Sequence, residues 1–195
     1  MAVTSQHTSI RDIPQLFDCD VETAYGFVNP WVDSVLDRLY DGFDRADHVR
    51  IDTRVSMLAA GWWPCIPGWH LDFAPRDGRK ILFDQIDPDA YRAWTTYLGP
   101  CPTQFVDHDA CGVGTYEDHS KAIEADESLD YCQGAPDELM SFGPLSWHRG
   151  TAAKVGPGMH WRAFIRIVEF AKPQTFANEE RNQTQVYIPS EHGGW

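Results

Sequence analysis

HVRIDTRVSMLAAGWWPCIPGWHLDF, residues 48–73, is the stretch whose reading decides the fold. Its first half alternates. Val49, Ile51, Thr53, Val55 and Met57 fall on one side of an extended chain, and Arg50, Asp52, Arg54 and Ser56 on the other. A period of two marks a β-strand. Gly61, Pro64, Pro67 and Gly68 then punctuate a turn-rich connection, and Trp69–Phe73 resumes as a short strand. Strand, Gly/Pro turn, strand is the rhythm of the rest of the chain.

Toward the N-terminus, Asn29 and Pro30 open a helix: Asn caps it and Pro suits the first helical position. Trp31, Val35, Leu36, Leu39, Tyr40 and Phe43 recur at three- and four-residue spacing, one buried face, and Gly42 helps end it. Residues 1–28 read as an irregular lead-in with one or two short strands. Toward the C-terminus, Pro75–Lys80 is a turn carrying Arg76, Arg79 and Lys80. Strands are expected over 93–98, 103–106, 139–147, 161–170 and 183–188. Residues 107–138 carry ten acidic side chains against the single Lys121; this window reads as a solvated insertion with a helix over roughly 116–128. One long helix followed by many short strands, with no βαβ alternation, points to a mainly β protein, a double-stranded β-helix of the jelly-roll or cupin-like kind.

The length, 195 residues, fits one domain: a lead-in over 1–47 and a barrel over 48–188. Lys and Arg number 16 against 29 Asp and Glu, a net charge of −13. That balance argues against coating nucleic acid, which needs clustered cations. Mean hydropathy is −0.42, and no apolar run approaches the ~18 residues of a membrane span. The five cysteines show no CxxC spacing, as expected of reduced thiols, and no signal-peptide pattern opens the chain. A soluble, cytoplasmic protein is the expectation, its oligomeric state open.

Chemistry enters at His70-x-Asp72. Residues two apart on a strand point the same way, so an imidazole and a carboxylate converge. One more His would complete a two-His-one-carboxylate triad, which leaves open positions on Fe(II). Among His108, His119, His148, His160 and His192, the sequence favours His148, at a strand end 78 residues after His70. His160 is the rival, but it lies two residues from Arg162 and leaves little chain for a separate ligand strand. Arg162 and Arg166 are four apart and share one face of the WRAFIRIVEF strand.

The set Trp69-His70-Leu71-Asp72, Trp147-His148-Arg149-Gly150 and Arg162 or Arg166 resembles the pattern of the Fe(II)- and 2-oxoglutarate-dependent dioxygenases. The turn Gly99-Pro100-Cys101-Pro102-Thr103 looks like a segment many members carry between the two histidines. The resemblance implies that His70, Asp72 and His148 hold Fe(II). It implies that Arg162, or else Arg166, binds the distal carboxylate of 2-oxoglutarate, and that a small-molecule or anionic substrate is hydroxylated with release of succinate and CO2. Arg76, Arg79 and Trp62 are candidate substrate contacts, and Arg54 and Trp63 are further side chains for the pocket. Two rival readings stand beside it: a cupin-like metal enzyme that uses the same His/Asp set without 2-oxoglutarate, and a non-catalytic β-sandwich binding protein whose aromatics and acidic stretch form an interaction surface. Inward-pointing arginines near the metal separate the oxygenase from the cupin-like enzyme, and metal analysis separates it from the binding protein.

Overall fold

The alternating stretch at 49–58 forms the edge of the larger of two facing sheets, and its two faces serve different ends. In the computed structural model, which describes residues 9–40, 46–108, 114–154, 158–182 and 186–188, the elements run β1 (Leu16–Phe17), α1 (Val21–Gly26), α2 (Pro30–Tyr40), β2 (Val49–Leu58), β3 (Arg76–Asp77), β4 (Lys80–Ile81), β5 (Tyr91–Leu98), β6 (Thr103–Val106), α3 (Tyr116–Ala125), β7 (Tyr131–Gln133), β8 (Met140–Phe142), β9 (Trp147–Gly150), β10 (His160–Phe170) and β11 (Glu179–Glu180). Short 3-10 turns add to these at 10–12, 46–48 and 83–85. The larger sheet has the order β2-β10-β5-β8, and the smaller the order β7-β6-β9. His70 extends the smaller sheet by a single antiparallel bridge to His148 on β9. The protein is mainly β and antiparallel, and its sheets do not close into a barrel.

Parity explains the layers. On β2 and β10, Val49, Ile51, Val55, Ala163, Ile165 and Ile167 point outward and pack against α1 and α2. Burying a side chain such as Ile165 contributes about 1.5–3 kcal/mol. Helix α2 starts where Asn29 caps it: the Asn29 Oδ1 accepts from the Trp31 and Val32 amides at 3.1 and 3.2 Å. Its Trp31, Val32, Val35, Leu36 and Leu39 are buried; the side chain of Tyr40, and Phe43, lie outside the described residues. The opposite face of β2 and β10, with Asp52, Arg54, Arg162, Phe164 and Arg166, turns inward toward the smaller sheet. Aromatic contacts among Tyr91, Phe105, Phe142 and Phe170 close one end of the interior.

Several elements depart from the sequence expectation. The lead-in contains a true helix, α1, capped by Asp20, whose carboxylate accepts from the Thr23 amide. The expected strand 139–147 is two strands in different sheets, separated by a turn in which the Ser146 amide donates to the Gly143 carbonyl. The expected strand 69–73 shrinks to the His70 bridge, because Phe73 adopts φ 54° and turns the chain away. At the C-terminal end, Tyr187 bridges to Trp63, while Glu179–Glu180 pairs with Leu16–Phe17; residues 183–185 lie outside the described residues. Helix α3 spans 116–125 and is more than a solvated insertion. A reciprocal cap between Thr115 and Asp118 starts it. Its Ile123 packs with Trp69, Leu71, Val106 and Trp147 on the outer face of the smaller sheet.

Gly99 sits at φ +99°, and a methyl group there would run into the Trp161 carbonyl oxygen. Gly99→Ala should therefore cost about 2 kcal/mol or more, from left-handed strain and the backbone clash together. Urea denaturation checks this; a midpoint equal to wild type would refute it.

Candidate metal centre

The local sequence places the three ligand candidates with few regular hydrogen bonds. Segment 68–73 is held contact by contact. His70 and His148 exchange both backbone bonds, each 3.0 Å. The Trp69 amide donates to the Ser120 hydroxyl at 2.7 Å. The hydroxyls of Tyr116 and Tyr91 donate to the Leu71 and Asp72 carbonyls at 2.8 and 3.2 Å. With this backbone pinned, parity does the rest. Trp69 and Leu71 enter the core beneath α3, while His70 and Asp72 face the interior cavity.

The potential ligand atoms of His70, Asp72 and His148 all lie within 4.8 Å of one another. Each imidazole contacts a backbone carbonyl through Nδ1: Gly68 at 3.1 Å for His70 and Ser146 at 2.9 Å for His148. A carbonyl only accepts, so each contact needs the proton on Nδ1. That tautomer leaves each Nε2 lone pair available for a metal, the arrangement that orients metal-binding histidines. Two imidazoles and one carboxylate suit a divalent first-row metal, and such a triad with open positions is characteristic of Fe(II).

Arg166 is committed to the triad. Its Nη1 donates to Asp72 Oδ2 at 2.6 Å, and its Nη2 to Asp52 Oδ2 at 2.7 Å. Asp52 also accepts from the Nε and Nη2 of Arg50 (2.9 and 3.0 Å) and from the Asp18 amide (2.9 Å). Burial alone would raise the Asp72 carboxyl; the Arg166 guanidinium outweighs it and holds it well below the usual carboxylate range. Burial and the neighbouring His148 together push the His70 imidazole down to about 4. Both shifts keep Asp72 and His70 in their ligand-ready protonation states at neutral pH.

Arg162 differs. It is 4% exposed. Its Nε donates to the Cys101 carbonyl at 2.6 Å and its Nη2 to the Thr103 hydroxyl at 3.1 Å. No carboxylate pairs with it among the described residues. Burial disfavours its charge, and nearby Arg54 adds to that.

These groups share one cavity of about 410 Å³, which His70, Asp72, His148, Arg162, Arg166 and Arg54 all line. The other expected contacts fall elsewhere. Arg76 and Arg79 are exposed on the β3–β4 hairpin, with Arg76 lying over the Tyr116 ring. Trp62 packs beside Leu58, Cys101 and Ala153, and Trp63 pairs with Tyr187. None of these four lines the cavity. A basic turn soon after His70-x-Asp72 in sequence is carried off by the hairpin. Asp52 was missed as a partner of the site, although its place on the polar face of β2 was the available signal. Cys65, Phe17, Tyr187 and Arg181 also line the cavity, brought there by turns and terminal pairings that no periodicity announces. His160 lies outside the cavity lining. His108 and His119 sit near each other beside Trp147, away from the triad. His192 is outside the described residues.

Comparison of the chain with protein-family models, with curated proteins and with solved structures returns no match. Among the described residues no helix is long and apolar enough to cross a membrane. What the geometry defines is a protein with a His-Asp-His group that can hold a metal ion.

His70→Ala or Asp72→Ala should abolish Mn(II) binding in calorimetry while far-UV circular dichroism stays at wild type, because the side chains line a cavity and contribute little packing. Retained binding in either variant would remove that residue from the ligand set. In metal-free protein, the lowered His70 value makes stability pH-dependent. The unfolded chain takes up a proton near 6.5 and the folded one only near 4. This contribution is complete above 6.5 and is lost as pH falls from 6.5 to 4, by up to about 3 kcal/mol. The melting temperature of His70→Gln should fall less steeply than wild type across that window; parallel curves would count against a buried neutral imidazole.

Proposed function

We propose that this protein is an Fe(II)- and 2-oxoglutarate-dependent oxygenase acting on a small molecule. One observation carries the reading. A two-His-one-carboxylate group and a buried arginine without a carboxylate partner line the same cavity. A buried unpaired cation is costly, and Arg162 is the cation in this cavity that a dianionic cosubstrate would complete. Its planar fork suits a carboxylate held by two parallel bonds.

The strand order supports the same reading. Counting the eight segments of the two facing sheets in chain order, with the His70 bridge as the second, the sheets read 1-8-3-6 and 2-7-4-5. Two interleaved sheets of that order support a jelly-roll reading, and the triad falls on segments two and seven, adjacent in one sheet. Arg162 comes from segment eight, in the facing sheet.

In this reading His70, Asp72 and His148 would hold the iron. Bound Fe(II) with 2-oxoglutarate supplies the oxidising power for attack on an unactivated C–H bond, with succinate and CO2 released. The chain's own residues bind, orient and exclude water. Arg166 and Asp52 fix the Asp72 carboxylate, and the Gly68 and Ser146 carbonyls fix the two rings. Arg162 and Thr103 receive the distal carboxylate of 2-oxoglutarate. Phe105 and Phe142 pack against the His148 ring and keep that side of the site dry.

The two arginines should respond differently to substitution. In anaerobic titrations of 2-oxoglutarate into the Fe(II) protein, followed by the visible charge-transfer band, Arg162→Leu should weaken binding about tenfold or more, ~1.4 kcal/mol. Arg166→Leu should instead weaken Fe(II) binding itself, because it frees the Asp72 carboxylate. A wild-type protein that binds Fe(II) but gives no band would refute 2-oxoglutarate use and favour a cupin-like metal enzyme.

A further inference from the structure

The chain carries a net charge of −13, yet its cavity reverses that balance. Among the described residues, four arginines line it, Arg54, Arg162, Arg166 and Arg181, against two aspartates, Asp52 and Asp72. Both aspartates are neutralised by Arg166, and Asp52 by Arg50 as well. If Arg162 takes the distal carboxylate of 2-oxoglutarate, Arg54 and Arg181 are left over. Arg54 has no hydrogen-bond or ion-pair partner among the described residues. Arg181 reaches Glu179 only at 3.5 Å, and its guanidinium lies over the Phe17 ring.

We propose that the cavity takes a second anionic group besides the cosubstrate: Arg54, assisted by Arg181, binds the carboxylate, phosphate or sulfonate head of a small organic substrate. This inference rests on the oxygenase reading for what the bound molecule undergoes, but the anion site stands on the charges and geometry alone. Arg54 is exposed and lines the cavity, which puts it where an entering molecule meets it. It faces Phe164 across the β2–β10 register, between the positions of Arg162 and Arg166 on β10. Asp52, which touches Arg166 and so the triad, is two residues away on the same strand face, about 7 Å. A molecule anchored at Arg54 therefore lies in the same cavity as the triad. Phe17, Ile66 and Tyr187 line the same cavity and offer apolar walls for the rest of that molecule. The cation surplus is confined to a cavity of about 410 Å³ in an otherwise acidic protein. That favours a small anion over a polyanion, which the net negative charge would repel.

The test uses inorganic phosphate as the probe and Mn(II) in place of iron. Calorimetry first establishes whether 2-oxoglutarate binds the Mn(II) protein. With 2-oxoglutarate saturating, phosphate is titrated and its ³¹P relaxation followed, since Mn(II) accelerates relaxation of a nucleus held nearby. Wild type should show a saturable enhancement. Arg54→Gln should weaken phosphate binding about tenfold, the worth of a charge-assisted contact, while 2-oxoglutarate still binds. Arg79→Gln, which removes the same charge from the exposed hairpin, should match wild type. An enhancement that does not saturate, or equal behaviour of Arg54→Gln and Arg79→Gln, overturns the proposal. If 2-oxoglutarate fails to bind wild type, the oxygenase reading falls. The same Arg54 and Arg79 comparison on the Mn(II) protein alone then decides the anion site by itself.

Discussion

A chain of alternating charges runs from the surface to the metal site, and the site depends on it. Asp18 pairs with Arg50, Arg50 with Asp52, Asp52 with Arg166, and Arg166 with Asp72. Three of the five groups, Arg50, Asp52 and Arg166, lie on adjacent strands in the larger sheet; Asp72 comes from the segment that extends the smaller one. The chain therefore ties the two sheets together where the ligands converge. Removing Arg166 would leave the Asp72 carboxylate without its cation, the costly outcome for a buried charge. It also fixes Asp72 as an ionised carboxylate with one oxygen already engaged, so its remaining capacity is directed at the two imidazoles and whatever they hold.

Segment 68–73 shows how irregular backbone can still be positioned. A regular ladder would align the ligands automatically, but Phe73 turns the chain after Asp72. Two tyrosine hydroxyls, a serine hydroxyl and one bridge substitute for it. The Ser120 and Tyr116 contributions come from α3. The acidic segment that sequence patterning marks as a solvated insertion thus supports the triad from behind: one face meets water and the other pins the ligand segment.

Equivalent sequence positions acquire unequal roles. Arg162 and Arg166 have the same chemistry and the same strand face. Four residues of separation put one beside two aspartates and the other beside a carbonyl, a hydroxyl and another arginine. The pairing of opposite charges consumes Arg166, and its absence leaves Arg162 and Arg54 as the cations with unsatisfied demand. The charge pattern of the cavity follows from which strands are neighbours, since β2 and β10 bring Asp52 against Arg166 but Ser56 against Arg162.

The sequence by itself determined the elements whose signals are local. The alternation at 49–57, the Asn29-Pro30 helix start and the strand at 161–170 were legible because periodicity and capping act within a few residues. The convergence of His70 and Asp72 was legible too, since parity needs only two positions on an extended chain. Tertiary structure decided everything that depends on pairing between distant segments. It chose His148 over the other histidines by laying β9 against His70, separated the two arginines, and drew in Asp52, Arg181 and Tyr187. It also carried Arg76 and Arg79 away on a hairpin, although they are closer to His70 in sequence than His148 is. Proximity along the chain says little once strands cross between two sheets, because a sheet makes neighbours of residues that are far apart in sequence.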